Sequence, residues 1–181
     1  MALRPWLWGV LIVLLPAAVE ATVAIRLSPR ELAERSSLAG EGEVVSVRSE
    51  WTPDGKRIVS RVRLRVEEAW KGEPGEVELV VPGGSVDGLG QIVQGMPVFR
   101  EGERVVVFAE GPERAAPHRV VGLAQGKFSV VEVPDEGRLL VPRLEGLQLV
   151  DPLTGAEVPP LWERPVPVEA LRRQAFPEAA R

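Results

Sequence analysis

Cysteine is absent from the 181-residue chain, which limits both its architecture and its chemistry. The chain can form no disulfide, and it offers neither a thiol nucleophile nor a thiolate ligand for zinc. Histidine is almost as scarce: His118 is the single example, so no second histidine can complete a usual zinc site. His118 follows a turn at a predicted strand start, and we expect it to be exposed or packed rather than catalytic.

Familiar catalytic and cofactor motifs are missing as well. Ser85 follows two glycines, but Gly-Gly-Ser-Val is not the Gly-x-Ser-x-Gly sequence of a nucleophile elbow. Gly88-Leu89-Gly90 lacks the third glycine of a dinucleotide fingerprint, and no Gly-Lys-Ser/Thr follows it as in a phosphate-binding loop. Asp87 alone supplies too few oxygens for calcium. We therefore predict no cofactor and no metal site.

Basic residues are slightly outnumbered, and the formal net charge is −4. This acidic balance disfavours nucleic acid or anionic lipid as the main partner. The one concentrated basic feature is a row of arginines at positions 57, 61, 63 and 65. They could bind an acidic partner or a sulfated polysaccharide, but ion pairing across a sheet with Glu76 and Glu78 is the favoured interpretation.

Residues 1–21 have the composition of a signal peptide. Arg4 precedes an almost wholly apolar run over residues 7–15, and small residues lead to Ala21. This pattern predicts cleavage between Ala21 and Thr22 and export of the remainder. The alternative is a membrane anchor, which needs about 20 apolar residues and so exceeds the length of this run. We predict a periplasmic or secreted protein without stable membrane insertion after cleavage.

One helix start and several strand-like stretches follow the leader. Ser28 and Glu31 form a capping box with a proline at the first helical position, which predicts a short helix. Residues 57–70 alternate apolar and charged side chains with a period of two, typical of a half-buried strand that has Trp70 on its inward face. Residues 105–109 are apolar on both faces, as in a covered central strand.

Three successive strands predict an antiparallel meander. Residues 43–51, with Val45, Val47 and Trp51 inward, pair with residues 57–70 through a turn in which Gly55 takes a positive φ. Further strands are predicted at residues 76–82, 105–109, 119–123, 127–133 and 138–141.

The predicted fold is mainly β, an antiparallel OB-like β-barrel over residues 22–142 with a short N-terminal helix. A proline-rich C-terminal tail over residues 143–181 completes it, with a short helix that begins at Pro167.

The glycine-rich segment from Gly83 to Pro97 interrupts this rhythm. A loop of that length in a compact domain is usually functional or mobile, and its glycines weaken regular strand pairing. Its apolar residues lack the periodicity of a core strand, so we expect some of them to contact a partner. The candidate binding residues are Gly83, Gly84, Asp87, Leu89, Ile92, Val93 and Met96. The alternative is that Ile92 and Val93 form a short edge strand that closes the barrel.

Short motifs carry a resemblance to a known family. They are Gly42-Glu43-Val44, Trp70-Lys71-Gly72, Pro82-Gly83-Gly84 and Pro97-Val98-Phe99-Arg100-Glu101-Gly102-Glu103. Over about residues 28–133 the chain resembles the netrin-like modules shared with tissue inhibitors of metalloproteinases, and more closely a group of uncharacterised exported bacterial proteins. The resemblance implies a five-stranded barrel of the oligonucleotide/oligosaccharide-binding type, flanked by helices. It does not extend to zinc chelation through an N-terminal cysteine, because this chain has none.

The sequence therefore predicts a non-enzymatic binding module of the cell envelope whose partner is a protein or a glycan. Two alternatives stay open. One is a hydrolase that uses carboxylates such as Asp87 and Glu103, and the other is a purely structural envelope component.

Overall fold

The structure, a computed structural model, describes residues 21–111 and 117–180. The predicted signal peptide lies outside these residues except for its last position. Within them the chain is mainly β, with two α-helices, α1 (Pro29–Arg35) and α2 (Val168–Ala175). The strands are β1 (Thr22–Ile25), β2 (Leu38–Trp51), β3 (Ile58–Lys71), β4 (Gly75–Pro82), β5 (Gly84–Val86), β6 (Leu89–Gln91), β7 (Arg104–Glu110), β8 (Arg119–Val120), β9 (Lys127–Val133), β10 (Gly137–Pro142), β11 (Leu147–Val150) and β12 (Val166–Pro167).

One large sheet organises the molecule. Its strands lie in the order β12-β10-β9-β7-β2-β3-β4, with β8 beside β7. All of its ladders are antiparallel, which confirms the prediction of a mainly antiparallel β fold. β1 and β11 form a separate parallel pair, and β5 and β6 form a separate hairpin. The path ends at β12 and at β4, so strand ladders among the described residues do not close it into a barrel.

The predicted capping box is present at the start of α1. Ser28 N donates to Glu31 Oε2 at 2.8 Å, and Glu31 N donates to Ser28 Oγ at 3.2 Å. Pro29 occupies the first turn, where its missing N–H costs no helical hydrogen bond. Buried Leu32 and Ala33 then pack the helix against the sheet.

Apolar side chains form a core on each face of the sheet. The helix-side core packs α1 and α2 onto one face, and its large buried members include Leu32, Phe108, Phe128 and Leu171. The inner core lies on the other face and includes Val62, Leu64, Leu79 and Val107. Alternate residues of β7 enter the two cores, with all five residues from Val105 to Ala109 buried. This confirms the prediction of a central strand covered on both sides.

A bulge in the β2–β3 pair turns the side chain of Val45 away from its predicted inward face. The hairpin itself is as predicted, with Gly55 at a φ of +66° in its turn. Val44 pairs with Leu64 and the next paired residue is Ser46, so Val45 is an extra residue in β2. The prediction that Val45 faces inward is wrong, because this bulge places Val44 in the inner core instead.

A second bulge redirects Trp70. Glu41 pairs with Glu68 and Gly42 pairs with Val66, which leaves Glu67 as an extra residue and reverses the alternation beyond it. Val66 therefore lies in the inner core, whereas Trp70 packs in the helix-side core. The prediction that both side chains share one inward face is wrong. Trp51, also predicted to point inward, lies next to the turn of the hairpin and is 39% exposed.

The tail contributes to both secondary structure and core. β11 pairs with β1, and β12 extends the large sheet beside β10. α2 confirms the predicted terminal helix, and it buries Val168, Leu171 and Ala175 in the helix-side core. The predicted strand at residues 119–123 is reduced to the two residues of β8, because Leu123, at a φ of +60°, starts a 3-10 helix. Among the described residues no helix is long and apolar enough to cross a bilayer.

Candidate functional site

The segment predicted to be an irregular loop contains the β5–β6 hairpin. Its turn is Asp87-Gly88, with φ angles of +52° and +80°. Positive φ at both central residues is the mark of a two-residue type I′ turn, which Asp-Gly favours. The expectation of a continuous loop is therefore wrong for residues 84–91, although the glycines leave each paired strand only three residues long. The alternative is wrong too, because Ile92 and Val93 follow β6 and belong to no strand.

A cavity of about 380 Å³ lies beneath this hairpin. It opens between the hairpin, the ends of β2, β3 and β4 next to it, and the segment from Pro97 to Phe99. Its lining consists of Val47, Ser60, Val62, Val81, Pro82, Gly83, Gly84, Ser85, Gly90, Gln91, Ile92, Val93, Pro97, Val98 and Phe99. Since Val62, Val81 and Phe99 belong to the inner core, the cavity has an apolar floor that continues into that core.

The structure brings four of the seven predicted binding residues to this cavity. Gly83, Gly84, Ile92 and Val93 line it. Asp87 and Leu89 do not: Asp87 lies at the tip of the hairpin, and Leu89 follows that turn with 59% of its surface exposed. Met96 is absent from the lining and packs against the inner core instead.

The hairpin rests on a pair of serines that the sequence reasoning did not identify. Ser49 and Ser60 face each other across β2 and β3, with their hydroxyl oxygens 3.1 Å apart. Ser60 Oγ donates to Gly83 O at 2.8 Å, and Ser85 N donates to Ser49 Oγ at 3.2 Å. The pairing of two small polar residues on a strand face was the signal that could have revealed this contact.

Gly84 makes the close approach of the hairpin to the serines feasible. An added Cβ would lie 2.3 Å from Ser49 Oγ and 2.5 Å from Ser60 Oγ, and the φ of +136° disfavours any side chain. Gly84, one of the predicted binding residues, thus has a structural role, which is to let β5 lie directly on β2 and β3.

Among the residues that the structure describes, no ionisable side chain lines the cavity. Ile92 and Val98 form its rim and are 87% and 64% exposed. Phe99 is buried on the floor, and the Lys127 ammonium is 5.5 Å from the centroid of its ring. A ligand in the cavity would therefore meet apolar groups and neutral hydrogen-bonding groups.

A buried polar cluster lies behind Phe99. Lys127 is 3% exposed, and its ammonium donates to Glu103 Oε1 and to Ser129 Oγ, the latter at 3.0 Å. Ser129 Oγ in turn donates to Glu103 Oε1 at 2.6 Å. Burial lowers the pKa of Lys127 although Glu103 opposes this effect. Burial acts to raise the pKa of Glu103, but hydrogen bonds from Lys127 and Ser129 outweigh it and hold that pKa below its ordinary value.

The carboxylates proposed for a hydrolase are not brought together. Glu103 is occupied by Lys127, Ser129 and the Arg100 N–H, and neither a hydrogen bond nor a common cavity joins it to Asp87. In the parts of the chain that the structure describes, no three histidine or carboxylate side chains are grouped as metal ligands would be.

The predicted ion pairing of the arginine row is confirmed for three of its four members, Arg61, Arg63 and Arg65. Arg61 donates to Glu78 at 2.6 Å, and Arg63 and Arg65 both contact Glu76. His118 is packed, as expected, and its backbone bonds to β4: its N–H donates to Glu78 O at 2.8 Å, and Val80 N donates to its carbonyl at 2.9 Å.

Comparison with known proteins finds no matching family model, no similar curated protein and no similar solved structure.

Proposed function

We propose that the protein is an exported, non-enzymatic binding module and that the cavity beneath the β5–β6 hairpin is its binding site for a partner protein of the cell envelope. The observation that carries the proposal is the cavity of about 380 Å³ with an apolar floor and an exposed apolar rim. Ligand sites in proteins are typically concave, mostly apolar and about 300–1,000 Å³ in volume. Contiguous exposed apolar surface marks sites that a partner covers, and here the exposed rim adjoins the apolar floor.

The same proposal includes an OB-like barrel as the frame of the site. Support comes from the edge of β4, where the parallel bridge between Leu79 and His118 continues into β8, and β8 pairs with β7. Together with the ladders from β7 through β2 and β3 to β4, these contacts surround the inner core. The mouths of small barrels are a common place for binding sites.

The non-enzymatic part of the proposal rests on the chemistry near the site. Ser129 and Lys127 have the residue types of a serine–lysine nucleophile pair, but the ammonium and the hydroxyl are both bonded to Glu103 and buried. A nucleophile needs access to its substrate and a base free to take its proton. We therefore assign this cluster to the support of the cavity floor rather than to catalysis.

Capture from envelope extract by Ile92→Ser and Val98→Ser variants tests the proposal. Both side chains are exposed, so we expect unchanged urea midpoints together with loss of the captured partner. Leu153→Ser is the control, because Leu153 is 93% exposed and lies outside the cavity lining. Capture that survives both rim substitutions would place the site elsewhere. If wild-type protein captures only glycan, the partner is a glycan and the assignment of a protein partner is wrong. If it captures nothing, a structural envelope component is favoured.

A further inference from the structure

Gln91, the last residue of β6, lines the cavity and has a side-chain amide whose orientation is fixed by one hydrogen bond. Ile58 N donates to Gln91 Oε1 at 2.6 Å. A backbone N–H can only donate, so the accepting atom must be the oxygen of the side-chain amide, which fixes the amide's orientation. Ile58 is not part of the cavity lining, whereas Gln91 is. The Nε2 group is therefore the free end, and no residue in the described parts of the chain accepts a hydrogen bond from it.

The free Nε2 donor of Gln91 and the apolar floor together limit which ligands fit the cavity. Enclosing the Nε2 group without an acceptor would leave it unsatisfied, so the ligand must bring a neutral oxygen to it. An ionised group would lose its hydration in a cavity whose wall offers no opposite charge. The combination selects an uncharged group that carries an aliphatic part and a carbonyl.

We propose that the cavity binds an uncharged, extended segment of the partner polypeptide. An aliphatic side chain of this segment lies on the floor against Val62 and Phe99, and one of its main-chain carbonyls accepts from Gln91 Nε2. This inference rests on the proposed function and names the ligand of the same site. A sugar fits less well, because each of its hydroxyls needs partners and the lining offers two serines besides Gln91. Ser60 is already bonded to Gly83 and Ser49, and Ser85 lies on the exposed hairpin.

The first experiment uses wild-type protein and the capped peptide acetyl-Ala-Leu-Ala-amide, followed by amide NMR shifts. We expect saturable shifts at Gly84, Gln91 and Phe99 at millimolar peptide, and binding about tenfold weaker when lysine or glutamate replaces the central leucine. Thioamide analogues, with each carbonyl replaced in turn, should include one that binds more weakly. Shifts elsewhere, or none, would overturn the inference. So would equal binding of the charged peptides, or binding of di-N-acetylchitobiose without the peptide.

The decisive variant is Gln91→Glu, which keeps an oxygen for the Ile58 N–H and replaces the Nε2 donor by a second acceptor. At neutral pH we expect peptide affinity to fall about tenfold. As the pH falls and the introduced carboxyl gains a proton, it can donate again, so affinity should recover in the variant while wild-type affinity stays constant. Gln174→Glu is the matched control, because it makes the same change on the exposed surface of α2.

Failure of this inference can be told apart from failure of the proposed function. The role of Gln91 is overturned if the Gln91→Glu variant binds the peptide as tightly as wild type does. It is also overturned if the variant binds more weakly and low pH does not restore its affinity. If Ile92→Ser still abolishes capture of the envelope partner, the cavity remains the binding site and only its ligand chemistry is wrong. The ligand-side thioamide series uses wild-type protein, so it decides the question even if Gln91→Glu is unstable.

Discussion

At the scale of single residues, Lys127 is a charge held away from water at 3% exposure. Removing one partner of such a pair leaves the other charge buried and uncompensated, which is far more costly than losing a surface pair. We expect Lys127→Met to lower the free energy of unfolding by about 3 kcal/mol, measured by urea denaturation.

The Lys127 prediction has two controls. Arg63→Met breaks an exposed ion pair with Glu76 and should barely move the urea midpoint. The double variant Lys127→Met/Glu103→Gln removes both charges and should recover much of the loss, because no carboxylate is then left unpaired. If the Lys127→Met variant is as stable as wild type, the Lys127 ammonium is hydrated in solution rather than buried.

The lowered pKa of Glu103 predicts a pH dependence. The ordinary pKa is 4.5, and a carboxyl whose pKa is lower in the folded protein stabilises the fold above that value. This contribution is lost as the pH falls through the folded pKa. Wild-type protein should therefore lose more stability between about pH 5 and pH 3 than Glu103→Gln does. Parallel stability curves for the two proteins would contradict this assignment.

Gly84 offers a sharp comparison within one hairpin. Gly84→Ala places a methyl group in contact with Ser49 and Ser60 at a φ of +136°, so we expect a loss of about 1–3 kcal/mol. Gly90→Ala has no such obstacle, since the nearest atom to its added Cβ is Ser85 Oγ at 3.5 Å. It should be neutral or slightly stabilising. Equal losses for the two variants would show that the hairpin does not rest on the serine pair.

At the scale of elements, the strand positions were predictable and some of their faces were not. Alternation along β3 predicted its buried side chains up to Val66, because a regular strand sends every second residue to one face. The extra residues Val45 and Glu67 reverse that alternation. The sequence of one strand does not predict them, because a bulge depends on how two strands pair. The β5–β6 turn was predictable, because Asp87-Gly88 is a strong hairpin signal.

The bulge at Glu67 predicts a difference between two tryptophans of the β2–β3 hairpin. Trp70 packs edge-to-face against Phe108 and Phe176, with ring centroids 6.2 and 6.4 Å apart. Trp70→Ala should therefore cost about 3 kcal/mol or more. Trp51→Ala should cost far less, because Trp51 lies at the exposed end of the hairpin. Similar urea midpoints for the two variants would contradict the altered register.

At the scale of the whole molecule, the central position of β7 follows from composition. A strand with apolar residues on both faces needs cover on both, and the two cores supply it. The cavity could not be predicted in the same way. Its wall combines residues from Val47 to Phe99, and their meeting depends on how β5 lies across the ends of β2 and β3. The sequence could point to the segment and, through two small polar residues paired across strands, to Ser49 and Ser60, but not to Gln91.

The proposed barrel predicts slow hydrogen exchange at the outer edge of β4. Val80 N donates to His118 O, which is the backbone contact between β4 and the residue before β8. If this contact closes the frame in solution, the Val80 amide should exchange about as slowly as amides inside the β2–β3 ladder. Exchange at the rate of an open sheet edge would show that β4 is unpaired there and that the sheet does not close.

The parallel pairing of β1 with β11 has a consequence for the order of assembly. Thr22–Ile25 pairs with Leu147–Val150, so the two strands are separated by most of the described chain. During synthesis β1 emerges early, yet its partner strand does not exist until nearly everything else has been made. Contacts between such distant segments form late, because a long loop must close before they contribute. The segment that follows the predicted cleavage point therefore stays unpaired through most of translation, which would suit the export predicted from residues 1–21, since an exported chain crosses the membrane before it folds.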